Sequence, residues 1–399
     1  MKETGHARYT FRVRLSATAR RALEAEWARC RWLWNECVAK SQQVHAQSKV
    51  GGEKLTCGPA QLDRMLTEAR RVTPWLAAGA SVPQQQVIRD FATSRAKALK
   101  DIKDRLPIHR RAGMPRWKRK GKARPSLNYT RRGFRLKDGR LHLAGGITVT
   151  VVWSRDLPAD ASSVRVYQDS LGHWYASFVV PAPVEPLPAT GRVLGVDWGW
   201  PRRPPPPTMP TTSRMPNTAA RPQRLAKYQR MMARRRRPKT QPASKGYRKA
   251  QAQVAKLHKK VARRREDTGR KWAKHVVTGH DGVAVEDFRP KFLANTSMAR
   301  KAADAAIAAT KRALVEMGRK YVRDIRLVHP AHTTMDCATC GARTKHALPL
   351  SMRTYTCTVF GAVSPRDKNS ARVMLIRAGW NPDGAEGVRP SGPRRQPEP

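Results

Sequence analysis

The segment DCATCGARTKHALPLSMRTYTCTVFGAVSPRDKNSA, residues 336–371, contains three of the six cysteines of the chain. It begins with a C-x-x-C pair, Cys337 and Cys340, and a third cysteine, Cys357, follows after a spacer typical of zinc sites built from two such pairs. A fourth cysteine at position 360 would complete a tetrahedral site, but the chain has Phe360 there. The sequence therefore predicts a metal site that lacks one of its protein ligands.

Two interpretations of this segment stay open at the level of sequence. The three thiolates could hold zinc if His332, His346 or water supplied the fourth ligand, although neither histidine has the expected spacing. The alternative is three free cysteines in a loosened loop, which would lose the folding free energy that a structural zinc ion contributes. We interpret residues 331–363 as a degenerate zinc ribbon in either case.

The rest of the chain is strongly basic. Its 399 residues include 80 lysines and arginines against 29 acids, which gives a formal net charge of +51. Charge of this size, spread over every segment, predicts a polyanionic partner, and nucleic acid is the obvious candidate. An anionic membrane surface is the alternative, and it is disfavoured because no single anchor helix concentrates the charge.

Targeting and membrane-spanning segments are not predicted. The N-terminal sequence, residues 1–15, lacks an apolar core of signal-peptide length, and the longest apolar stretch, GGITVTVVW at 145–153, is too short to cross a bilayer. We therefore expect a cytoplasmic, nucleoid-associated bacterial protein with no membrane partner. In that compartment its six cysteines would be reduced.

The N-terminal half combines strand and helix patterns. Residues 8–16 alternate like a strand, residues 18–40 carry apolar side chains at helical spacing, and a second helix is predicted over 83–106. Strand-like runs follow at 147–153 and at 163–180, the latter as a hairpin. These patterns predict a small β-domain with helices inserted after its first strand.

Aromatic residues of this half have two alternative roles, core packing and base stacking. Trp27 and Trp34 lie at helical spacing, where core packing is the more frequent role. Further along, Trp117, Tyr129 and Phe134 alternate with lysines and arginines, a pattern typical of a nucleic-acid track with stacking platforms.

Three acids in the C-terminal half follow or precede apolar elements. Asp197 follows the apolar strand pattern that opens RVLGVDWGW, Glu286 follows the one that opens GVAVEDF, and Asp367 precedes an apolar helix. Carboxylates bind hard cations such as Mg²⁺ together with substrate phosphates, and two such ions could support phosphodiester hydrolysis. Acids at strand ends are also commonly caps or ion-pair partners, so spacing alone leaves both interpretations open.

A basic helical hairpin is predicted between these acids, over residues 222–275, with a break at 238–244. Phosphate contact and a merely solvated cationic face are both compatible with its charge.

Taken together, LGVDWG, VAVEDF, the cysteine segment and PRDKNSA resemble the transposon-encoded TnpB (OrfB) family, whose members are often labelled transposases of insertion sequences. The resemblance implies a multidomain α+β fold with an N-terminal wedge-type β-barrel, a helical recognition insertion and an RNase H-like (RuvC) α/β domain that a zinc ribbon interrupts. The implied boundaries are 1–16 and 107–188 for the barrel, 17–106 for the insertion, 189–330 and 364–380 for the RuvC-like domain, 331–363 for the ribbon, and 381–399 for a disordered tail.

The same resemblance implies an RNA-guided DNA endonuclease. A guide RNA from the transposon end and a target DNA would be the partners, and base pairing would supply sequence specificity. Asp197, Glu286 and Asp367 would be the catalytic ligands of Mg²⁺ or Mn²⁺ in a two-metal mechanism, and Asp287 would have a structural role.

This chain departs from the family pattern in two places. The proline-rich run 201–222 replaces a second strand that would pair beside Asp197, because proline offers no N–H to a sheet. Phe360 replaces the fourth ribbon cysteine. A cleavage-deficient protein that binds RNA and DNA, or a decayed mobile-element product, is therefore the alternative to an active nuclease, whereas Pro365 and Ser370 are tolerable variants.

Overall fold

The computed structural model describes residues 4–50, 55–108, 111–196, 222–238, 240–287, 306–346, 348–349 and 352–381. They form two compact units that divide between Ala182 and Pro183. Asp197 and the proline-rich run lie outside the described residues, as does nearly all of the predicted tail. None of the helices within the described ranges combines the length and apolar character needed to span a membrane.

The N-terminal unit is a seven-stranded sheet with helices inserted after its first strand. Its strands are β1 (Thr4–Arg14), β2 (Ser126–Thr130), β3 (Phe134–Lys137), β4 (Arg140–Leu143), β5 (Ile147–Val152), β6 (Ser163–Gln168) and β7 (Trp174–Pro183). Its helices are α1 (Ala17–Val50), α2 (Pro59–Val72), α3 (Pro74–Ala77) and α4 (Ser81–Lys103). The predicted helices at 18–40 and 83–106 and the hairpin at 163–180 are confirmed, while α2 was not predicted.

The sheet of this unit nearly closes into a barrel. Its strand order is β2-β6-β7-β1-β5-β4-β3, so β2 and β3 are the two edge strands. The two edges are consecutive in the chain and only a short 3₁₀ turn, Arg131–Gly133, joins them. Because that turn holds the edges near one another, the sheet curls and its inward-facing residues form one core.

The core of the N-terminal unit accounts for most of its aromatic and sulfur-containing residues. Trp27, Cys30 and Cys37 are buried on α1, as their helical spacing predicts. Tyr129 is fully buried and Phe134 packs against the same core, so the prediction that these two rings are stacking platforms is wrong. Tyr129 points inward because the residues of β2 alternate in burial with period two, whatever the surrounding charge. Phe134, the first residue of β3, is partly buried against the same core.

The C-terminal unit contains a three-stranded parallel sheet in the order β10-β9-β8, with β8 at Val193–Val196, β9 at Gly282–Glu286 and β10 at Asp324–Val328. Its helices are α5 (Pro222–Arg234), α6 (Lys245–Gly279), α7 (Ile307–Tyr321) and α8 (Arg366–Arg377). Helix α7 packs on α6, and α8 packs on β8 and β9. The two helices of the predicted basic hairpin are thus present.

The parallel register aligns the carboxyl ends of these strands. Val196 of β8 is paired with Val285 of β9, and Glu286 is paired with Val328 of β10. Strand β8 is an edge of the sheet as far as the described residues extend. A ladder of unpaired backbone groups at an edge is normally covered or kept short.

A close contact between β8 and α8 predicts that Gly195 does not tolerate a side chain. A Cβ at this position would lie 2.8 Å from the carbonyl carbon of Ala371, and closer still to its oxygen. The Gly195→Ala variant should therefore be destabilised by about 1–3 kcal/mol, because backbone must move to relieve the overlap. Thermal unfolding should show a melting temperature lowered by several degrees.

The matched control for this measurement is Gly279→Ala, because a Cβ at position 279 meets open space at the end of α6. That variant should unfold at or above the wild-type temperature, since alanine loses less conformational entropy on folding than glycine. Equal stability of the two variants would contradict the close packing of α8 on β8.

Candidate metal-binding carboxylates and cysteines

Two of the three predicted acids lie on elements that pack together. Glu286 is the last residue of β9 and Asp367 lies in the first turn of α8, and both side chains are partly buried. Helix α8 packs on β9 and on β8, so the structure brings the elements that carry these acids to the same part of the unit. The third acid, Asp197, follows Val196 in the sequence and lies outside the described residues.

The neighbouring acid, Asp287, makes an ion pair and a backbone hydrogen bond to other elements of the unit. Its carboxylate pairs with the Lys311 ammonium group at 2.5 Å, and its backbone N–H donates to the Val328 carbonyl at 2.7 Å. These contacts tie α7 and β10 to the end of β9. A structural role for Asp287 stays a prediction.

The three predicted cysteine ligands come together in space. The sulfur atoms of Cys337, Cys340 and Cys357 all lie within 4.8 Å of one another, with Cys340 and Cys357 separated by 3.6 Å. Sulfurs at this separation match the donor set that thiophilic cations such as Zn²⁺ prefer. The cluster could therefore hold a metal ion, and it spans both halves of the ribbon.

The first half of the ribbon is a tight turn that begins at Cys337. The Gly341 N–H donates to the Cys337 carbonyl at 2.9 Å, and the Cys337 N–H donates to the Ala342 carbonyl at 2.8 Å. Gly341 has a φ of 77°, which residues other than glycine adopt at a cost. Cys340 occupies the position just before this glycine.

The second half of the ribbon repeats this geometry from Cys357 onward. The Gly361 N–H donates to the Cys357 carbonyl at 3.0 Å, the Cys357 N–H donates to the Ala362 carbonyl at 2.9 Å, and Gly361 has a φ of 69°. Phe360 lies just before this glycine, as Cys340 does in the first half. Its backbone thus has the conformation of a ligand position, although its side chain cannot bind a metal.

Hydrogen bonds favour a thiolate at Cys357. Burial opposes its ionisation, but hydrogen bonds from the backbone N–H groups of Phe360 and Val359, and the contacts with the thiols of Cys340 and Cys337, lower the pKa of the Cys357 thiol. A thiolate is the form that binds metal. The backbone hydrogen bond of Cys340 with Ala342 favours its thiolate, but burial and the contacts with the other two thiols outweigh it and raise the pKa of the Cys340 thiol, so ionisation is favoured at Cys357 over Cys340.

Comparison with known proteins places these sites in a family. A protein described as "Putative RNA-guided DNA endonuclease" from Streptomyces pristinaespiralis is 30% identical over 348 residues, 85% of this chain and 82% of that protein. The chain belongs to the TnpB (OrfB) family. The family model OrfB_IS605, described as a probable transposase, matches residues 209–295, and the Cas12f1-like TNB domain model matches residues 309–374. The two matches include Glu286, the three cysteines and Asp367.

A solved structure resembles this TnpB-family chain over nearly its whole length. It is a chain in a cryo-EM structure of a Cas12f1–sgRNA–target DNA complex, with a TM-score of 0.50 and 12% sequence identity. The match covers 94% of this chain and 99% of the solved chain. At this identity the likeness concerns the fold, and it supports a multidomain α/β architecture.

Contacts that the sequence analysis missed hold the ribbon to α8. The Asn369 amide donates to the Asp336 carbonyl at 2.7 Å and accepts from the Ala338 N–H at 3.0 Å. The Asp336 carboxylate accepts from Arg343 and from Arg377, each at 2.6 Å. Although partial burial opposes it, these hydrogen bonds lower the pKa of Asp336. The first cysteine turn is thereby fixed to the helix that carries Asp367.

A polar cleft of about 400 Å³ in the N-terminal unit was also missed. The Lys118 ammonium group lies 3.5 Å from the centroid of the Trp34 ring, and burial lowers the pKa of this lysine to about 8. Also lining the cleft, Arg165 donates to Asn128 at 2.8 Å, and Asn128 donates to Asp90 at 2.7 Å. The cleft thus presents an aromatic ring and several hydrogen-bonding groups to solvent.

Proposed function

We propose that this chain is an RNA-guided DNA endonuclease that cuts phosphodiester bonds with the help of divalent metal ions. The observation that carries this proposal is the 30% identity to a protein described as a putative RNA-guided DNA endonuclease, over 85% of the chain. The parallel sheet and its packed helices support an RNase H-like (RuvC) assignment for the C-terminal unit. We also propose the domain boundaries that the family resemblance implies for the barrel, the insertion, the nuclease domain and the ribbon.

Asp197, Glu286 and Asp367 are the residues that would hold Mg²⁺ or Mn²⁺. Carboxylate oxygens suit these hard cations, and both Glu286 and Asp367 are only partly buried. When bound, the ions would activate a water molecule and stabilise the leaving oxygen.

Guide RNA and target DNA are the proposed partners. A solved chain of similar fold lies in a complex with both kinds of nucleic acid, and a net charge of +51 suits two polyanions. Base pairing between guide and target would select the sequence, while lysine and arginine side chains would hold the phosphates. Trp117, whose side chain is 49% exposed, remains a candidate for base stacking.

A second candidate is a protein that binds RNA and DNA without cutting. Strand β8, which leads to Asp197, has no second partner within the described part of the chain, and the proline-rich run follows it. Weak support of this strand would misplace the Asp197 carboxylate, and a displacement of about 1 Å can cost about 100-fold in rate.

The test is cleavage by the purified full chain with its transposon-end RNA. Two DNA duplexes are compared that differ only in the segment complementary to the guide, each with Mg²⁺ and with a chelator. We expect cutting of the matched duplex with Mg²⁺ alone, and binding of the matched duplex in both conditions. Binding without cutting would favour the second candidate. The absence of binding would indicate a decayed mobile-element product.

A further inference from the structure

The ribbon has the backbone of a four-ligand site but only three ligands. The turn before Gly361 repeats the turn before Gly341, and the three thiols converge within 4.8 Å of one another. The backbone at position 360 therefore has the geometry of a ligand position, and only the side chain of Phe360 lacks a donor atom. The site has not collapsed into an unrelated loop structure.

The Phe360 ring does not fill the missing position as a buried apolar plug. Its side chain is 49% exposed, whereas Cys337 and Cys357 are buried. An aromatic side chain in a collapsed site would be expected in the small core around Tyr355, and Phe360 is not part of that core. The fourth position thus faces the solvent side of the cluster.

The protein supplies no substitute ligand from the described residues. His332 and His346 were the candidates from the sequence, and neither side chain joins the group of donor atoms around the three sulfurs. The same holds for every described aspartate and glutamate. Among the histidine, cysteine, aspartate and glutamate side chains of the described residues, only the three thiols are placed to bind a cation here.

Structural zinc sites have four protein ligands, whereas sites with three protein ligands keep one position for an external molecule. We propose that the three thiolates of Cys337, Cys340 and Cys357 bind a thiophilic cation of the zinc class and leave its fourth position open to an exchangeable small donor, an imidazole or a thiol. This inference goes beyond the proposed nuclease function and does not depend on it. The ribbon would be an open metal site instead of a closed structural one.

The test uses Co²⁺ as a spectroscopic probe of the full-length protein, kept reduced with a reductant that is not a thiol. We expect thiolate-to-cobalt absorption in the wild type, and a shift of the visible cobalt bands when free imidazole is added. Phe360→Cys should bind Co²⁺ about 100-fold more tightly, because a fourth thiolate adds roughly a quarter of the binding free energy of a four-ligand site. Its bands should not respond to imidazole.

Two further variants serve as controls. Phe360→Ala keeps the three thiolates and should retain the imidazole response, whereas Cys340→Ser should abolish the cobalt spectrum of the cluster. The wild-type spectrum decides the proposal even if Phe360→Cys fails to fold. Absence of thiolate-to-cobalt absorption in the wild type, or bands that do not move with imidazole, would overturn it, and neither result bears on DNA cleavage.

Discussion

Binding of guide RNA and target DNA should weaken by about 10³–10⁵-fold between about 50 and 200 mM salt, the loss expected of a protein that binds roughly 6–10 phosphates. The reason is the release of counterions from nucleic acid when lysine and arginine side chains replace them. The net charge of +51 makes enough cationic side chains available for this. Equilibrium binding measured over a series of salt concentrations gives the slope of log affinity against log salt concentration directly.

Helix α6 allows the source of this slope to be located. Lys249, Lys256 and Lys260 are exposed, and their spacing of seven and four residues places them along one face. Replacing all three with alanine should reduce the magnitude of the slope by about 0.9 for each phosphate that these side chains bind in the wild type. Replacing them with arginine should preserve it, because the positive charge remains.

An unchanged slope in the triple alanine variant would show that this face of α6 is only solvated. Of the two interpretations of the basic hairpin that the sequence left open, phosphate contact would then be excluded for this face.

The second large effect is expected at the end of β9. Glu286→Gln should slow cleavage of a matched DNA by at least about 10³-fold, because the loss of a charged metal ligand removes several kcal/mol of transition-state stabilisation. The substitution keeps the size of the side chain, so the fold and the binding of RNA should be preserved. Single-turnover cleavage with Mg²⁺ measures the effect without interference from product release.

The matched control is the adjacent residue. Asp287→Asn also removes one negative charge at the end of β9, but the carboxylate of Asp287 pairs with Lys311. Cleavage by this variant should remain within about tenfold of the wild type, in line with the modest free energies of partly exposed ion pairs. A larger effect at Asp287 than at Glu286 would reverse the assignment of the two acids.

Much of the local structure could be predicted because it is determined by short-range sequence patterns. The hairpin of β6 and β7 follows from two alternating runs around a glycine, and Gly172 has the positive φ that such a turn requires. The long amphipathic pattern of α1 predicted both its helical state and the burial of Cys30 and Cys37. Such patterns depend only on residues close together in the chain.

The basic segment around Tyr129 shows where this reasoning failed. The surrounding lysines and arginines suggested an exposed track, yet residues 126–130 also alternate with period two, and the structure buries Leu127 and Tyr129. The strand pattern was the better guide because a paired strand must point alternate side chains inward. Trp117, outside any strand, is the ring that stays exposed.

Parts of the candidate site could not be predicted because they join distant residues. The hydrogen bond from Asn369 to Asp336 spans 33 positions in the chain, and nothing local distinguishes this asparagine from a helix-surface residue. The sequence did identify the three cysteines by spacing. It could not show that the backbone at Phe360 keeps the geometry of a ligand position.

We propose that three carboxylates, Asp197, Glu286 and Asp367, act together on a bound phosphodiester. The most direct measurement compares wild type and Asp197→Ala, each assembled with the transposon-end RNA, for binding and cutting of one matched duplex with Mg²⁺. We predict that the wild type cuts and that the variant binds equally well but does not cut. Cutting by Asp197→Ala at the wild-type rate would contradict the claim.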